Sequence, residues 1–564
     1  MKKALPVIIA IVLILAIGGF TFGKQIMDKY SYSDEVYDLT VYFENTSEKD
    51  VAIIMQDQFM AERATLLDGT YYVDLDTVHN YFNDQFYFDS NEGLLIYTLP
   101  LDMIKVAVGD TTAYGIQNSE NLGYVACRYE NDKLLVALDY VKKYTNFSYE
   151  AFTDPGRLQI YTQWNDRTVA TVKKDTQIRH RGGVKSEILK EVKAGDKLIV
   201  IEQMEEWSKV KSNDAIIGFV ENKKLDNIMP ELPIPVSDYV EPEYTNVCRS
   251  YKINMGWHAI AGVGGNDTFD SYTSITKGLN VIAPTWFSLS DNNGNFSDYS
   301  STDYVAKAHN AGMEVWAVFD NIEHSSDIDM STILGNTTIR QQLIDNMINT
   351  SLTLGIEGIN VDFEMLPSET GEAFSEFIRE LSIPCRANGL VLSIDNYVPI
   401  GGTGYYDRKT QGEVADYVVI MGYDEHYAGS TEAGSVASID YVDKGIQMTL
   451  EEVPASKIIN GIPFYTRIWE INGTELTSQA VDMAKVNEWL SNHSLTKEWD
   501  DATCQNYAEY TDGSKTCKCW IEDAESIKVK LNVMKSYGIG GVAEWRLGYE
   551  SADIWDVIEE YLNN

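Results

Sequence analysis

The rhythm of apolar and polar residues changes four times along the chain. From Ala4 to Gly23 twenty residues run without a charge, between Lys2 and Lys3 on one side and Lys24 on the other. A run of that length spans a bilayer as a helix. Phe20 and Phe22 stand where a cleavable leader needs small residues, so residues 1–24 are expected to be an uncleaved anchor, with secretion after cleavage as the alternative. The paired lysines favour a cytoplasmic start and an outside location for everything after Lys24. Residues 30–164 then alternate short aromatic and β-branched runs with polar turns. YVDLDTV, FYFD and LLIYT, beginning at Tyr72, recur roughly sixty residues later as LVALDYV, FSYE and LQIYT. Each copy predicts a strand entering a short helix at Asp76 or Asp139, followed by a β-hairpin.

From 165 to 228 the period shortens. GDKLIVI, EEWSKVK and IIGFVENKKL read as closely spaced strands, five or so in number, as in a small β-barrel. Residues 229–247 follow as a linker, with four of the chain's 13 prolines between Pro230 and Tyr244. From 248 to 564 apolar β-runs alternate with helical stretches eight times, the pattern of a closed (β/α)8 TIM barrel. The runs begin at Ile253, Val281, Glu314, Gly358, Val391, Tyr417, Ile458 and Gly540. A doubly wound open sheet is the runner-up. It would want a glycine-rich phosphate turn, and GVGG after the first run lacks the rest of that fingerprint. Residues 471–524 separate the seventh run from its helix, so a small α+β insertion is expected there. The fold class is therefore α/β, a TIM barrel preceded by a transmembrane helix, an α+β repeat stalk and a small β-barrel.

Composition narrows the partners. The 564 residues carry 45 basic and 85 acidic side chains, a net charge of −40, with most of the excess acid in the barrel. Such a field repels phosphates, which excludes nucleic acid as a partner. Six cysteines in this length exclude a disulfide scaffold, although an exterior location would permit one bond between Cys504 and either Cys517 or Cys519. No CxxC pair or HExxH motif occurs and His493 stands apart, so no metal or organic cofactor is expected.

In a TIM barrel the C-terminal ends of the strands carry function. The fourth run ends with Asn360, Asp362 and Glu364. Alternation puts all three on the inward face. Two crowded acids there raise one another's pKa, as a general acid requires, although a strand-capping network would use the same residues.

Several of these segments resemble known families. The repeat in 30–164 is similar to the small α+β module named after the N-terminal domain of copper amine oxidases, without a His or Cys cluster to imply copper. Residues 165–228 resemble bacterial SH3-like domains, which implies contact with wall peptides, against the plainer reading of a spacer barrel with Trp207 in its core. Glu357-Gly-Ile-Asn-Val-Asp-Phe-Glu364 resembles the DGxDxDxE signature of family 18 glycoside hydrolases, the chitinase-like enzymes. Met421-Gly-Tyr423-Asp424 resembles that family's MxYD motif, and Trp545 matches its sugar-stacking tryptophan. YDEHY, GIPFYTR and GGVAEWRLG look most like the bacterial branch that includes spore-cortex N-acetylglucosaminidases, which points to peptidoglycan.

The resemblance implies roles. Glu364 would be the acid and base, Asp362 would bind the substrate's acetamido N–H, and Tyr423 its acetamido oxygen, in a retaining mechanism through an oxazolinium. Trp545 would form the floor, Asp424 would orient the site, and Asn360 and Met421 would complete it. Trp286, Tyr465 and Arg467 are further candidate substrate contacts. Glu357 and Asn360 depart from the signature, and because an amide cannot take a proton, Asp362 must rely on other partners. The expected protein is a membrane-anchored extracytoplasmic hydrolase of cell-wall peptidoglycan or chitin-like glycan. A catalytically silent glycan binder and an envelope scaffold are the alternatives.

Overall fold

The computed structural model of the chain describes residues 5–235, 237 and 239–563, the side chains of residues 5–10, 26 and 28 excepted. A helix runs over Leu5–Tyr30. Among the described residues, however, no helix is long and apolar enough to cross a membrane. The expected anchor drew much of its length from Ala4–Ala10, which lie outside the described side chains.

The chain forms two compact units, one of residues 1–84, 108–112 and 121–241, the other of 85–107, 113–120 and 242–564. In the first unit, strand Thr70–Asp74 runs into helix Leu75–Tyr81, whose first turn is capped by the Asp74 carboxylate. Strand Lys133–Ala137 likewise runs into helix Leu138–Lys143. The two strands pair antiparallel, Val136 opposite Val73, within one seven-stranded sheet. The hairpin of the second copy, Ser148–Phe152 with Arg157–Tyr161, joins that sheet. The hairpin of the first copy, Tyr87–Asp89 with Leu94–Leu99, belongs instead to the second unit, where Tyr87 and Ile96 enter the main core. Residues 167–231 form another seven-stranded antiparallel sheet, two strands more than expected. Ala170, Ile178, Leu198 and Val210 fill its core, and Trp207 stays half-buried outside it, against Gly182.

The second unit holds the barrel. Its strands are β1 (Ile253–His258), β2 (Val281–Pro284), β3 (Glu314–Asp320), β4 (Gly358–Asp362), β5 (Val391–Tyr397), β6 (Tyr417–Met421), β7 (Ile458–Pro463) and β8 (Gly541–Trp545). They pair in parallel in the order β2-β1-β8-β7-β6-β5-β4-β3, and β2 also pairs with β3, so the ring closes. Closure removes the open-sheet alternative. The strands read as unbroken apolar runs because both faces are covered, one by the barrel interior and one by helices. Their helices carry ordinary end signals. Asn336 caps Thr337–Leu354, which ends at Gly355, and Asp523 makes a capping box for Ala524–Tyr537.

Strand β7 stops at Pro463, earlier than the sequence suggested, and Phe464 donates its backbone N–H to the Trp545 carbonyl (2.7 Å). Tyr465 then opens a five-stranded antiparallel sheet, Tyr465–Ile521, with helix Met483–Asn492 against it. The insertion therefore begins at 465, and Tyr465 and Arg467 belong to it. Cys504, Cys517 and Cys519 are free thiols, so the permitted disulfide is not formed. Cys519 is sealed in the insertion's own small core with Val481, Val486 and Ala508.

Candidate active site

Eight parallel strands deliver their C-terminal ends to one mouth, and inward positions alternate along each. On β4 these are Asn360 and Asp362, with Glu364 just beyond the strand, while Val361 and Phe363 pack outward in the core. Asn360 is fully buried and fully bonded. Its Oδ1 accepts from the Trp257 indole N–H (3.1 Å), and its Nδ2 donates to Ser393 Oγ (3.0 Å) and Asp395 Oδ1 (2.8 Å). A carboxylate could not make both donations.

Asp362 is half-buried overall, but its Oδ1 is sealed and has no hydrogen-bond partner in the described structure. Burial, followed by the charges of Asp395, Glu364 and Asp320, holds its pKa well above the usual carboxylate range. Glu364 is tied at both ends. Its backbone N–H donates to Asn321 Oδ1 (2.8 Å), its carbonyl accepts from Asn321 Nδ2 (2.9 Å), and its Oε2 accepts from the Tyr397 hydroxyl (2.8 Å). Burial raises its pKa, the Tyr397 hydrogen bond pulls it back, and the charges of Asp424 and Asp320 raise it again. The site thus holds two neighbouring carboxyls whose burial favours the protonated form.

On β6 Met421 is buried, and Gly422 follows it because a Cβ there would lie 2.6 Å from the Gly461 carbonyl of β7. Tyr423 packs edge-on against Trp257 (6.4 Å) and Tyr465 (6.3 Å). Burial and then the charges of Asp395 and Asp362 hold its phenol protonated, as a hydrogen-bond donor. Asp424 accepts from the Tyr465 hydroxyl. Trp545, half-buried at the end of β8, meets Trp257 at 6.0 Å and 71°.

The structure brings Asn360, Asp362, Glu364, Met421, Tyr423, Asp424, Tyr465 and Trp545 to one mouth and leaves two of the expected contacts outside it. Trp286 is fully buried; its indole donates to Asn266 Oδ1 (2.8 Å) and its ring packs on Tyr304 (5.1 Å), so it is core rather than a substrate contact. Arg467 is held by the insertion, donating to Ser478 Oγ (2.9 Å) with its guanidinium 6.0 Å from the Trp469 ring. Sequence reasoning missed Asp395, Tyr397 and Trp257. For the first two a signal existed, since Ser393, Asp395 and Tyr397 alternate on β5 as Asn360, Asp362 and Glu364 do on β4.

The family model of glycosyl hydrolases family 18 matches residues 250–550, which include all eight strands and every residue above. The chain belongs to family 18. Its relatives include the uncharacterized glycosylase YvbX of Bacillus subtilis (strain 168), 28% identical over 51% of this chain and 88% of that protein. The cortical fragment-lytic enzyme of the same organism is 27% identical over 44% of this chain and 59% of that protein. Among solved structures, the Bacillus cereus spore cortex-lytic enzyme SleL superposes with a TM-score of 0.51 at 25% identity, covering 59% of this chain and 78% of that one. This family 18 protein is a glycosidase, related to cortex-lytic enzymes and chitinases.

Proposed function

We propose that this glycosidase cleaves N-acetylglucosaminyl bonds in cell-wall peptidoglycan, or in chitin-like glycan, by a retaining mechanism in which the substrate's own acetamido group is the nucleophile. The acidic pair Asp362 and Glu364, one above the other in the barrel mouth and both with raised pKa, carries this reading. Glu364 would give its proton to the glycosidic oxygen as the acetamido oxygen closes on C1, releasing the leaving sugar and an oxazolinium. Asp362 would accept from the acetamido N–H, and the Tyr423 hydroxyl would donate to the acetamido oxygen, so that both stabilise charge as it develops. Glu364, now ionised, would take a proton from water as that water attacks C1, which restores the acid and retains the configuration. Trp545 would support the sugar ring from below, its face against the axial C–H groups.

The relatives named for spore cortex favour peptidoglycan over chitin. We further propose that the uncharged Ala4–Gly23 run anchors the chain in the cell membrane with the globular part outside, and that residues 165–228 contact wall peptides. The deciding experiment is turnover of purified peptidoglycan and of a chitooligosaccharide reporter. Glu364→Gln should lower kcat by about 10²–10⁴-fold, the ordinary worth of a general acid. Unchanged turnover would remove Glu364 from its role, and saturable binding without new reducing ends would make the protein a silent glycan binder. Mass analysis of the muropeptides should find N-acetylglucosamine at the new reducing ends.

A further inference from the structure

A half-buried acid, Asp362, and a buried one, Asp395, take adjacent inward positions in the barrel mouth, and among the described residues no cation pairs with either. Asn360 pairs with Ser393 and Val361 with Ile394 in the β4–β5 register, so the next inward positions are Asp362 and Asp395. Neighbouring parallel strands lie about 4.8 Å apart. Asp395 is buried, and among the described residues no salt bridge reaches it or Asp362. The groups around the pair are Asp320 on β3, Glu364 and Asn360 from β4, Tyr397 on β5, Tyr423 and Asp424 after β6, Tyr465, and Trp257 on β1. Every titratable one is an acid or a phenol. Two full negative charges at this separation in a low-dielectric site are not sustained at neutral pH, so the pair keeps a proton.

The hydrogen bonds say where that proton can lie. Because the Trp257 indole can only donate, the Asn360 oxygen must face it, and the Asn360 amide N–H must face Asp395. Asp395 Oδ1 is thereby an acceptor, which leaves Oδ2 as the oxygen that can carry or share a proton. On the other side Asp362 Oδ1 is sealed and without a hydrogen-bond partner.

We propose that Asp395 on β5 is the positioning carboxyl that Asn360 cannot be: it holds one proton in common with Asp362 in the free enzyme and keeps that proton when Asp362 ionises towards the substrate. The step moves a single proton between two carboxyls and needs no further reactant. It turns Asp362 from a group locked against its neighbour into a full carboxylate at the moment an acetamido N–H and a developing cation need one. The proposal rests on the glycosidase reading above, and it assigns the departure at Asn360 a compensation from the adjacent strand. Burial raises Asp395's own pKa, its bond from Asn360 opposes this, and the Glu364 charge raises it again, in keeping with a shared proton.

The test is to move the carboxyl. Asp395→Asn should lower kcat about 10–100-fold, with KM changed far less, and should delete one ionisation from the pH profile of kcat/KM. The double variant Asn360→Asp/Asp395→Asn, which returns a carboxyl to β4 and an amide to β5, should recover kcat to within about threefold of wild type. A wild-type kcat and pH profile for Asp395→Asn would overturn the proposal, as would a double variant no better than the single one while both keep the wild-type melting temperature. If either variant fails to fold, a titration of wild-type protein carrying 13C-labelled aspartate carboxyls decides the matter. One aspartate of the pair should stay protonated above about pH 6, and titration of every aspartate near its usual pKa of about 3.9 would overturn the proposal. Wild-type protein and Glu364→Gln run alongside. Failure of the glycosidase reading shows as absent turnover or an active Glu364→Gln, whereas failure of this inference leaves wild type active and Glu364→Gln dead.

Discussion

Tyr397 tunes the proposed acid, and the sign of its effect is readable. Its hydroxyl donates to Glu364 Oε2 (2.8 Å), which stabilises the carboxylate and lowers the pKa that burial has raised. Tyr397→Phe should therefore push the Glu364 pKa up and move the basic limb of kcat/KM to higher pH, while lowering kcat because the ionised form formed during turnover loses its partner. A pH–rate series on the chitooligosaccharide reporter checks both, and a basic limb moving to lower pH would refute the assignment. That Asn360, Asp362 and Glu364 share one face could be read from period-2 alternation alone. The same alternation at Ser393, Asp395 and Tyr397 was equally present, but it acquires meaning only when β5 lies beside β4 in the register that brings Asp395 to Asp362. Trp286 shows the converse. Its place near a strand end suggested an open contact, yet the hairpin Phe287–Leu289 with Phe296–Asp298 follows β2 and the indole finds Asn266 inside.

Among the elements, β6 and β7 constrain each other most closely. The glycine in Met421-Gly-Tyr423-Asp424 needs no functional explanation, because any side chain there meets the Gly461 carbonyl. Gly422→Ala should cost about 1–3 kcal/mol, the usual price of forcing an extra carbon into a packed interior. Denaturant titration measures it, and an unchanged midpoint would contradict the close approach. Helix Gly371–Asn388 offers a second case. Glu380 bonds Arg340 through both carboxylate oxygens, at 2.7 and 2.9 Å, and both side chains are buried. Glu380→Ala should destabilise by about 3–5 kcal/mol, since it leaves a guanidinium buried and unpaired. The eight β-runs and most helices were legible because buried parallel strands are apolar throughout and helices repeat at 3.6 residues. The end of β7 was not. GIPFYTR is one apolar stretch in sequence, and only the turn of Phe464 onto the Trp545 carbonyl separates barrel from insertion.

Over the whole molecule, charge sets the response to pH and salt. Glu376, in the second unit, has its pKa pushed up to about 7 by burial and then by the Glu380 charge, against Arg379 and the Thr98 hydrogen bond. A carboxyl whose folded pKa lies above its unfolded value adds stability that is complete below the unfolded value and is lost as pH rises through the folded one. Asp362, Asp395 and Glu544 share that sign. His258, lowered to about 4 by burial and then the Arg546 charge, opposes it on the acid side, where stability falls as pH drops through its folded value. The melting temperature should therefore peak in mild acid and decline between about pH 6 and 8, less steeply in Glu376→Gln. Calorimetry across that range checks it; a melting temperature that climbs from pH 6 to 8 would refute it. The net charge of −40 adds a kinetic expectation. On an anionic wall, activity should fall as ionic strength is lowered and like charges are less screened.

What the amino-acid order alone determined is local or periodic: the run of uncharged residues, the eight-fold β/α alternation, the inward face of β4, and the motifs that resemble family 18. Each depends on spacing within one element, which the backbone period settles without reference to the rest of the chain. The tertiary structure alone decided which elements became neighbours. It seated the first repeat's hairpin in the barrel's unit, gave Tyr465 and Arg467 to the insertion, buried Trp286, and set Asp395 beside Asp362. Those outcomes depend on strand order and register between residues far apart in sequence, and no local period encodes them.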